Sequence, residues 1–226
     1  MYLFDIDGTL LLSGGVGSRA INRVFDERFG AKGVMDQVSP SGKTDEVIFQ
    51  ECAAIGLSRA LSADELTELI EAYLPLLVEG MAQSPGFRLM PHVEPCLDFL
   101  SSHQSLLGIA TGNVELAAAA KLQRAGLKER FHFGGYGSDS PIRSELVAKA
   151  MERGAEVSER SIRPEEFVVV GDTVYDIEAG HACGARVIAV ATGHVSAERL
   201  AAARPDALFE TLEELPEWHA AHFALS

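Results

Sequence analysis

Short apolar runs of strand length alternate with amphipathic segments along most of the chain. Each run is apolar at nearly every position, as expected for strands that are covered on both faces. The runs lie at 2–6, 106–111, 131–136, 167–172 and 186–191, with a shorter one at 207–210. Helical patterns between them lie at 92–102, 113–126, 143–153, 174–183 and 196–203. This alternation predicts an α/β fold with a doubly wound parallel sheet.

One long segment interrupts the alternation. From Gly14 to about Pro85 no convincing strand pattern is present. Amphipathic helical patterns occur there instead, at 17–30, 44–56 and 62–83. Turn-rich residues at 13–15 and 83–86 flank this insertion and are its predicted hinges. We therefore predict an α/β core domain at 1–13 and 86–226, with a small helical domain inserted at 14–85.

Length and composition narrow the class of protein. The 226 residues suffice for a core domain and a smaller second one. No apolar run approaches the ~20 residues that a membrane span needs. The first residues lack the basic region and cleavage site of a signal peptide, so we expect a cytoplasmic protein without a membrane partner. Cys52, Cys96 and Cys183 form no CxxC pair and are predicted to be buried thiols in a reducing compartment.

The net charge of −14 argues against general nucleic-acid binding, because phosphate backbones are bound by basic surfaces. An anionic substrate would need a local attraction, which we expect a metal ion to assist. The seven histidines show no ligand spacing, so the sequence does not support a zinc site. We expect a monomer or homodimer whose partner is a small molecule.

The most specific cluster of polar residues follows the first apolar run. Asp5 and Asp7 stand at its end, and Gly8 and Thr9 follow in a turn that can present backbone N–H groups to phosphate. Asp5 is suited to attack phosphorus as a nucleophile. Asp7 can protonate the leaving oxygen and later deprotonate water. The alternative is an ordinary turn that uses Asp and Gly.

A second acidic pair follows the run at 167–172. Asp172 ends this run, and Asp176 lies one helical turn further along. Ligands bind outside the carboxyl ends of parallel strands, so these carboxylates should lie near Asp5 and repel it unless a hard cation is present. Mg²⁺ prefers such oxygen ligands. The alternative for Asp172 is a helix N-cap.

Two further strand ends offer groups for a phosphate. Thr111 leads through Gly112 and Asn113 into a helix. The hydroxyl of Thr111 and the N–H groups that follow it can hold phosphate oxygens. Thr111 as a plain N-cap is an equally good local interpretation. Arg143 opens the next helix, where it could neutralise charge on a transferring phosphoryl group. A solvated Arg143 is the alternative, and Lys149 is a less suitable cation, two turns inside that helix.

Together these motifs resemble those of the haloacid dehalogenase superfamily, in its phosphatase branch and similar to phosphoglycolate phosphatases with a helical cap. The resemblance covers essentially the whole chain, from DIDGT at 5–9 to the acids of GDTVYD. It implies a Rossmann-like core, Mg²⁺ as cofactor and a cap formed by 14–85. It also implies the roles of individual residues: Asp5 as nucleophile, Asp7 as acid/base, Thr111 as phosphate binder, Asp172 as metal ligand and Asp176 as ligand or support, with Asp5 and Asp7 also at the metal.

This sequence departs from the family at one motif. The family usually has Lys in the third motif, where this chain has Arg143-Ser-Glu. Arg143 occupies the helix-opening position and keeps the charge, while its donor geometry differs. A dehalogenase is disfavoured, because the matched dehalogenases lack an acid two residues after the nucleophile. A sugar-phosphate mutase and a non-enzymatic binding protein on the same fold remain alternatives.

Other phosphate motifs are only half present. Residues 15–20 fit G-x-G-x-x-A, yet nine residues separate them from their strand, and 41–44 resemble the end of a P-loop without a preceding strand. Lys43, in this second segment, is a candidate to bind a carboxylate or second phosphate of the substrate. His194 follows the run at 186–191 and either faces the site or lies on the surface. The resemblance implies a small phosphorylated metabolite, such as a phosphoglycolate-like compound or a small sugar phosphate.

Overall fold

The structure is a computed structural model that describes residues 1–223, and its centre is a six-stranded parallel sheet. The strand order is β5-β4-β1-β6-β7-β8. These strands are β1 (Tyr2–Phe4), β4 (Leu107–Ala110), β5 (Phe133–Gly135), β6 (Val168–Gly171), β7 (Arg186–Val190) and β8 (Ala207–Phe209). The predicted α/β fold with a doubly wound parallel sheet is confirmed.

Helices cover both faces of this sheet. Successive side chains of a strand point to opposite faces, so Tyr2 and Phe4 pack on one side and Leu3 on the other. Both layers are apolar, which explains why the strands are almost continuously apolar in sequence. The helices of the core are α4 (Val93–Ser102), α5 (Glu115–Ala125), α6 (Arg143–Ser158), α7 (Val174–Ala182), α8 (Ala197–Ala202) and α9 (Leu215–His222).

The predicted helical insertion is present between β1 and β4. It contains α1 (Val16–Phe29), α2 (Asp45–Leu57) and α3 (Ala63–Gln83). An aromatic column holds the three helices together, because the ring of Phe49 lies 6.1 Å from that of Phe25 and 5.7 Å from that of Tyr73. Ser62 and Glu65 form a capping box that fixes the start of α3. We call 14–85 the cap; its limits as a domain stay a prediction.

A small ribbon joins the cap to the core. Strands β2 (Leu11–Ser13) and β3 (Phe87–Leu89) pair antiparallel, which the sequence did not predict. The ribbon places the two predicted hinge segments side by side, where the Ser84 hydroxyl donates to the Ser13 carbonyl at 2.9 Å. Gly14 adopts φ 70°, and a Cβ there would meet Gly86 at 2.8 Å. The two linkers therefore approach each other as closely as their glycines allow.

The other differences from the sequence prediction are shifted element ends and one additional helix. Each predicted strand is shortened by one or more residues, and α6 extends five residues beyond its predicted end at 153. Helix α9 was not predicted, because eight residues give too short a pattern to recognise. Among the described residues, no helix is both long and apolar enough to cross a membrane.

Candidate active site

Three strand ends bring the site together. Strand β1 pairs with β4 on one side and with β6 on the other, so Asp5, Thr111 and Asp172 follow adjacent strands at the same edge of the sheet. The Asp5 amide donates to the Val170 carbonyl at 2.9 Å and continues the ladder into the site. Gly8 adopts φ 89°, and a Cβ there would lie 2.3 Å from an Asp172 oxygen. Only glycine lets the loop after β1 turn this close to β6.

Three buried carboxylates form the acidic centre of the site. Oxygens of Asp5, Asp172 and Asp176 lie within 4.8 Å of one another. Burial raises the pKa of Asp5 to about 6, against the opposing effect of Arg143. Burial and the charges of Asp5 and Asp176 raise the pKa of Asp172 to about 8. Repulsion of this kind is relieved by a hard cation, and the donor set of carboxylate oxygens fits Mg²⁺.

Asp176 is held more firmly than its two neighbours. One of its oxygens accepts from Arg143, at 2.6 Å from Nη2 and 3.0 Å from Nε. The other accepts from the Thr173 hydroxyl at 2.6 Å and the Thr173 amide at 3.0 Å, which closes a capping box at the start of α7. Both oxygens of Asp176 are therefore engaged by the protein itself.

Arg143 is the cation of the site. It opens α6, as predicted, and its guanidinium lies 3.3 Å from Asp5 Oδ1. It also donates to the Gly42 carbonyl of the cap at 3.3 Å. The alternative cation, Lys149, is exposed and pairs with Glu152 at 2.6 Å on the surface of α6. The structure therefore brings Arg143, and not Lys149, to Asp5, the predicted nucleophile.

The segment after β4 contacts both Asp7 and the cap. Thr111 is fully buried, and its hydroxyl accepts from Asn113 Nδ2 at 2.8 Å. Asn113 Nδ2 also donates to Asp7 Oδ2 at 2.9 Å. A Cβ on Gly112 would lie 2.2 Å from the Lys43 carbonyl, so glycine is needed where cap and core touch. Thr9 contributes differently, through a long hydroxyl contact of 3.4 Å with Asp172.

Lys121 is a site residue that sequence reasoning missed. Its ammonium lies 2.5 Å from Asp7 Oδ2 and 2.6 Å from Asn113 Oδ1, and the residue is 5% exposed. A lysine inside an amphipathic helix normally suggests a solvated side chain, so the sequence carries no signal for this role. The Asp7 carboxylate is therefore held beside Lys121, outside the acidic cluster, and its predicted metal role stays a prediction.

The start of α2 is bonded directly to the core. The Asp45 amide donates to the Gly112 carbonyl at 2.8 Å, and the Val114 amide donates to Asp45 Oδ2 at 2.8 Å. Asp45 is 6% exposed, and burial raises its pKa to about 6. Sequence reasoning did not single out Asp45, because an acid in the first turn of a helix is common. These two bonds close the cap over the core.

A cavity of about 630 Å³ lies between cap and core. The core contributes Asp5, Asp7, Asp172, Thr111 and Arg143, and the cap contributes mostly apolar and hydroxyl side chains. Lys43 lines the cavity as expected, but its ammonium is paired with Glu51 at 2.6 Å. His194 also lines the cavity, so the structure favours the site-facing interpretation of this residue.

Comparisons with known proteins agree with this geometry. A sequence model described as haloacid dehalogenase-like hydrolase matches residues 2–190. The chain is 31% identical over 131 residues to a phosphoglycolate phosphatase of Synechococcus elongatus, covering 58% of this chain and 59% of that protein. It therefore spans less than two thirds of that relative's length. It is also 26% identical to a phosphoglycolate phosphatase of Photorhabdus laumondii, covering 94% of this chain and 88% of that protein.

Solved structures show the same fold. A protein described as a predicted phosphoglycolate phosphatase from Haemophilus somnus matches with a TM-score of 0.74. The match covers 96% of both chains at 20% sequence identity, a level that supports the fold and not the substrate. The agreement spans cap and core together.

Proposed function

Because the chain belongs to the haloacid dehalogenase-like hydrolase family, as the sequence predicted, we propose that it is a Mg²⁺-dependent phosphatase of a small phosphorylated metabolite. The observation that carries this proposal is the position of Asp5. Its carboxylate lies 3.3 Å from Arg143, shares a cluster with Asp172 and lines the cavity between cap and core. A nucleophile, a cation and a metal site therefore meet at one point.

In the proposed reaction Asp5 attacks phosphorus, and the bond from phosphorus to the substrate alcohol breaks. Asp7 gives its proton to the departing alcohol oxygen. Water then attacks the phosphorus of the aspartyl phosphate, Asp7 takes the proton from this water, and phosphate leaves with Asp5 restored. The two steps together return the enzyme to its starting state, and water is the only reactant besides the phosphate ester.

The other residues hold the phosphoryl group and offset its charge. Arg143 and Thr111 line the cavity with Asp5 and are the groups that we expect to bind the phosphoryl oxygens. Asp5 and Asp172 are the residues that we expect to hold Mg²⁺, which neutralises charge between nucleophile and phosphate. Asp176 completes the cluster, and because its oxygens are engaged we expect it to fix Arg143. The closed cap excludes water that would compete with the substrate alcohol.

Release of phosphate from p-nitrophenyl phosphate with Mg²⁺ tests the proposal. We expect Asp5→Asn to abolish turnover, because the amide keeps the shape but cannot form an acyl phosphate. The matched control is Asp26→Asn, which changes an exposed acid on α1. Turnover by Asp5→Asn at the wild-type rate would contradict the mechanism. Analysis of products from a sugar phosphate separates hydrolysis from the mutase alternative, which would give an isomer and no free phosphate.

A further inference from the structure

The cap forms one side of the cavity, which we call the cap end. Its walls include apolar side chains from all three cap helices and the segment between them: Ile21, Met35, Ile48 and the ring of Tyr73. The cavity holds about 630 Å³, which falls within the usual range of small-molecule sites and is more than a phosphate alone needs. The proposed function accounts for the phosphoryl group, and this second end is left for the alcohol portion of the substrate.

Tyr73 is the first polar group at this end. It is 2% exposed, yet among residues 1–223 its hydroxyl has no hydrogen-bond partner. Burial, together with the charges of Asp45 and Asp7, raises the pKa of Tyr73, so its hydroxyl keeps its proton at neutral pH. Tyr73 lines the cavity, so a ligand there can accept a hydrogen bond from this hydroxyl.

Asp45 is the second polar group. Its Oδ2 is used by the Val114 amide, whereas within the described chain no donor lies within hydrogen-bond distance of Oδ1. Asp45 lines the same cavity and is close enough to Tyr73 to affect its titration. This end of the cavity thus offers one free donor and one free acceptor beside an apolar wall.

Three of the four Lys and Arg side chains that line the cavity are already paired with carboxylates. Lys121 is bonded to Asp7, Arg143 lies with the acidic cluster, and Lys43 is paired with Glu51. Arg88 is exposed on the ribbon strand β3 and has no ion pair among the described residues. A carboxylate at the cap end would meet the negative charge of Asp45.

We propose that Tyr73 and Asp45 form a subsite for the hydroxyl groups of an uncharged, hydroxylated alcohol, with Tyr73 donating and Asp45 accepting. The inference rests on the proposed phosphatase function and names its substrate class, a polyol or sugar monophosphate. This substrate class differs from phosphoglycolate, the substrate named in the descriptions of the relatives. The alcohol portion of phosphoglycolate carries a carboxylate, and its one hydroxyl is the esterified one.

Two substrates of equal carbon number test the proposal. Glycerol 3-phosphate and 3-phosphoglycerate differ in having a hydroxymethyl group or a carboxylate at the far carbon. We expect kcat/KM to be at least ~10-fold higher for glycerol 3-phosphate, the scale of one hydrogen bond gained and one repulsion avoided. A preference for 3-phosphoglycerate in the wild-type protein would overturn the proposal. If Arg88→Ala or Lys43→Ala then removed that preference, the anion site would be at the altered residue.

Variants of the subsite give a second test. Tyr73→Phe removes only the hydroxyl, and we expect it to lower kcat/KM for glycerol 3-phosphate about tenfold while leaving p-nitrophenyl phosphate nearly unchanged. Asp45→Asn should act in the same direction while keeping an acceptor for the Val114 amide. Tyr136→Phe is the matched control, since this partly buried tyrosine lies outside the cavity. Equal losses on both substrates in Tyr73→Phe, with an unchanged melting temperature, would exclude the subsite.

The two proposals fail in different ways. If the folded wild-type protein released phosphate from none of these compounds, the phosphatase function would be wrong and the subsite with it. If p-nitrophenyl phosphate were hydrolysed in an Asp5-dependent manner, but Tyr73 and the hydroxyls of the substrate made no difference, only the subsite would be wrong.

Discussion

Arg143 and Lys121 divide the acidic side chains of the site between them. Arg143 contacts Asp5 and Asp176, whereas Lys121 contacts Asp7. A buried carboxylate that loses its cation retains the full cost of desolvation, and this applies to Asp5 and Asp176. The Asp7 side chain is 39% exposed, so loss of Lys121 would leave it partly solvated. The two aspartates of the first motif are therefore held by different cations, which suits two different roles in the reaction.

We expect Arg143→Ala to lower kcat by roughly 10²-fold or more, the scale of losing one group that stabilises developing charge. Arg143→Lys should recover part of the loss, because the charge returns without the planar donor geometry. Lys149→Ala is the matched control, since Lys149 is exposed and pairs with Glu152. A severe defect in Lys149→Ala with a mild one in Arg143→Ala, measured by phosphate release, would show that the wrong cation was assigned.

Lys121 should act through the position of Asp7. In Lys121→Met the Asp7 carboxylate loses its partner, and we expect kcat/KM to fall at least ~10-fold for an alkyl phosphate, whose leaving oxygen needs a proton. The loss should be small for p-nitrophenyl phosphate, whose leaving group departs as a stable anion. Lys149→Met serves as control. Equal losses on both compounds would indicate a structural role for Lys121, provided that Asp7→Asn itself distinguishes them.

At the scale of elements, the start of α2 decides how the cap meets the core. Its amide and its first acid bond to the segment after β4, and Gly112 leaves no space for a side chain against the Lys43 carbonyl. This contact positions the cap relative to the core, so that cap residues such as Tyr73 line the same cavity as the acids of the core.

Gly112→Ala should therefore separate cap from core without unfolding either. The added Cβ would lie 2.2 Å from the Lys43 carbonyl, a backbone atom that cannot move alone. We expect kcat/KM to fall at least ~10-fold, as for other small displacements of positioning groups, with little change in the melting temperature. Unchanged kcat/KM in Gly112→Ala would mean that the closed contact is not needed for turnover.

At the scale of the whole molecule, the acidic cluster makes stability depend on a cation. Asp5, Asp172 and Asp176 are buried together beyond the ends of β1 and β6, and a cation that binds only the folded chain stabilises it by mass action. We expect Mg²⁺ at 100 times its Kd to add about 2.7 kcal/mol to the free energy of unfolding. A thermal melt with and without Mg²⁺ would show this as a higher melting temperature.

Asp172→Asn should abolish the shift caused by Mg²⁺, since it removes one of the two proposed ligands. Asp26→Asn, on the surface of α1, should keep it. A shift of the same size in all three proteins would place the cation elsewhere. EDTA should abolish turnover by the wild type, and added Mg²⁺ should restore it.

The sequence alone determined the fold and the phosphoryl end of the site. Strand and helix patterns are local, and parallel strands must be joined by crossovers, so alternation along the chain implies the sheet and the edge where Asp5, Thr111 and Asp172 meet. Arg143 could be predicted because it opens a helix directly after a strand end. The ribbon of β2 and β3 could not, because three-residue strands carry no usable period.

Only the tertiary structure decided what surrounds Asp7 and what the cap offers to a substrate. Lys121 meets Asp7 across 114 positions, and Asp45 meets Val114 across 69. Each of these residues has an ordinary local explanation in a helix, and its role arises from a partner that no local pattern identifies. The same holds for Lys43, which the sequence presents as a cation free to bind a substrate anion. In the folded chain it is paired with Glu51. A side chain's pattern can predict its element, but burial and pairing depend on the residues that folding brings next to it.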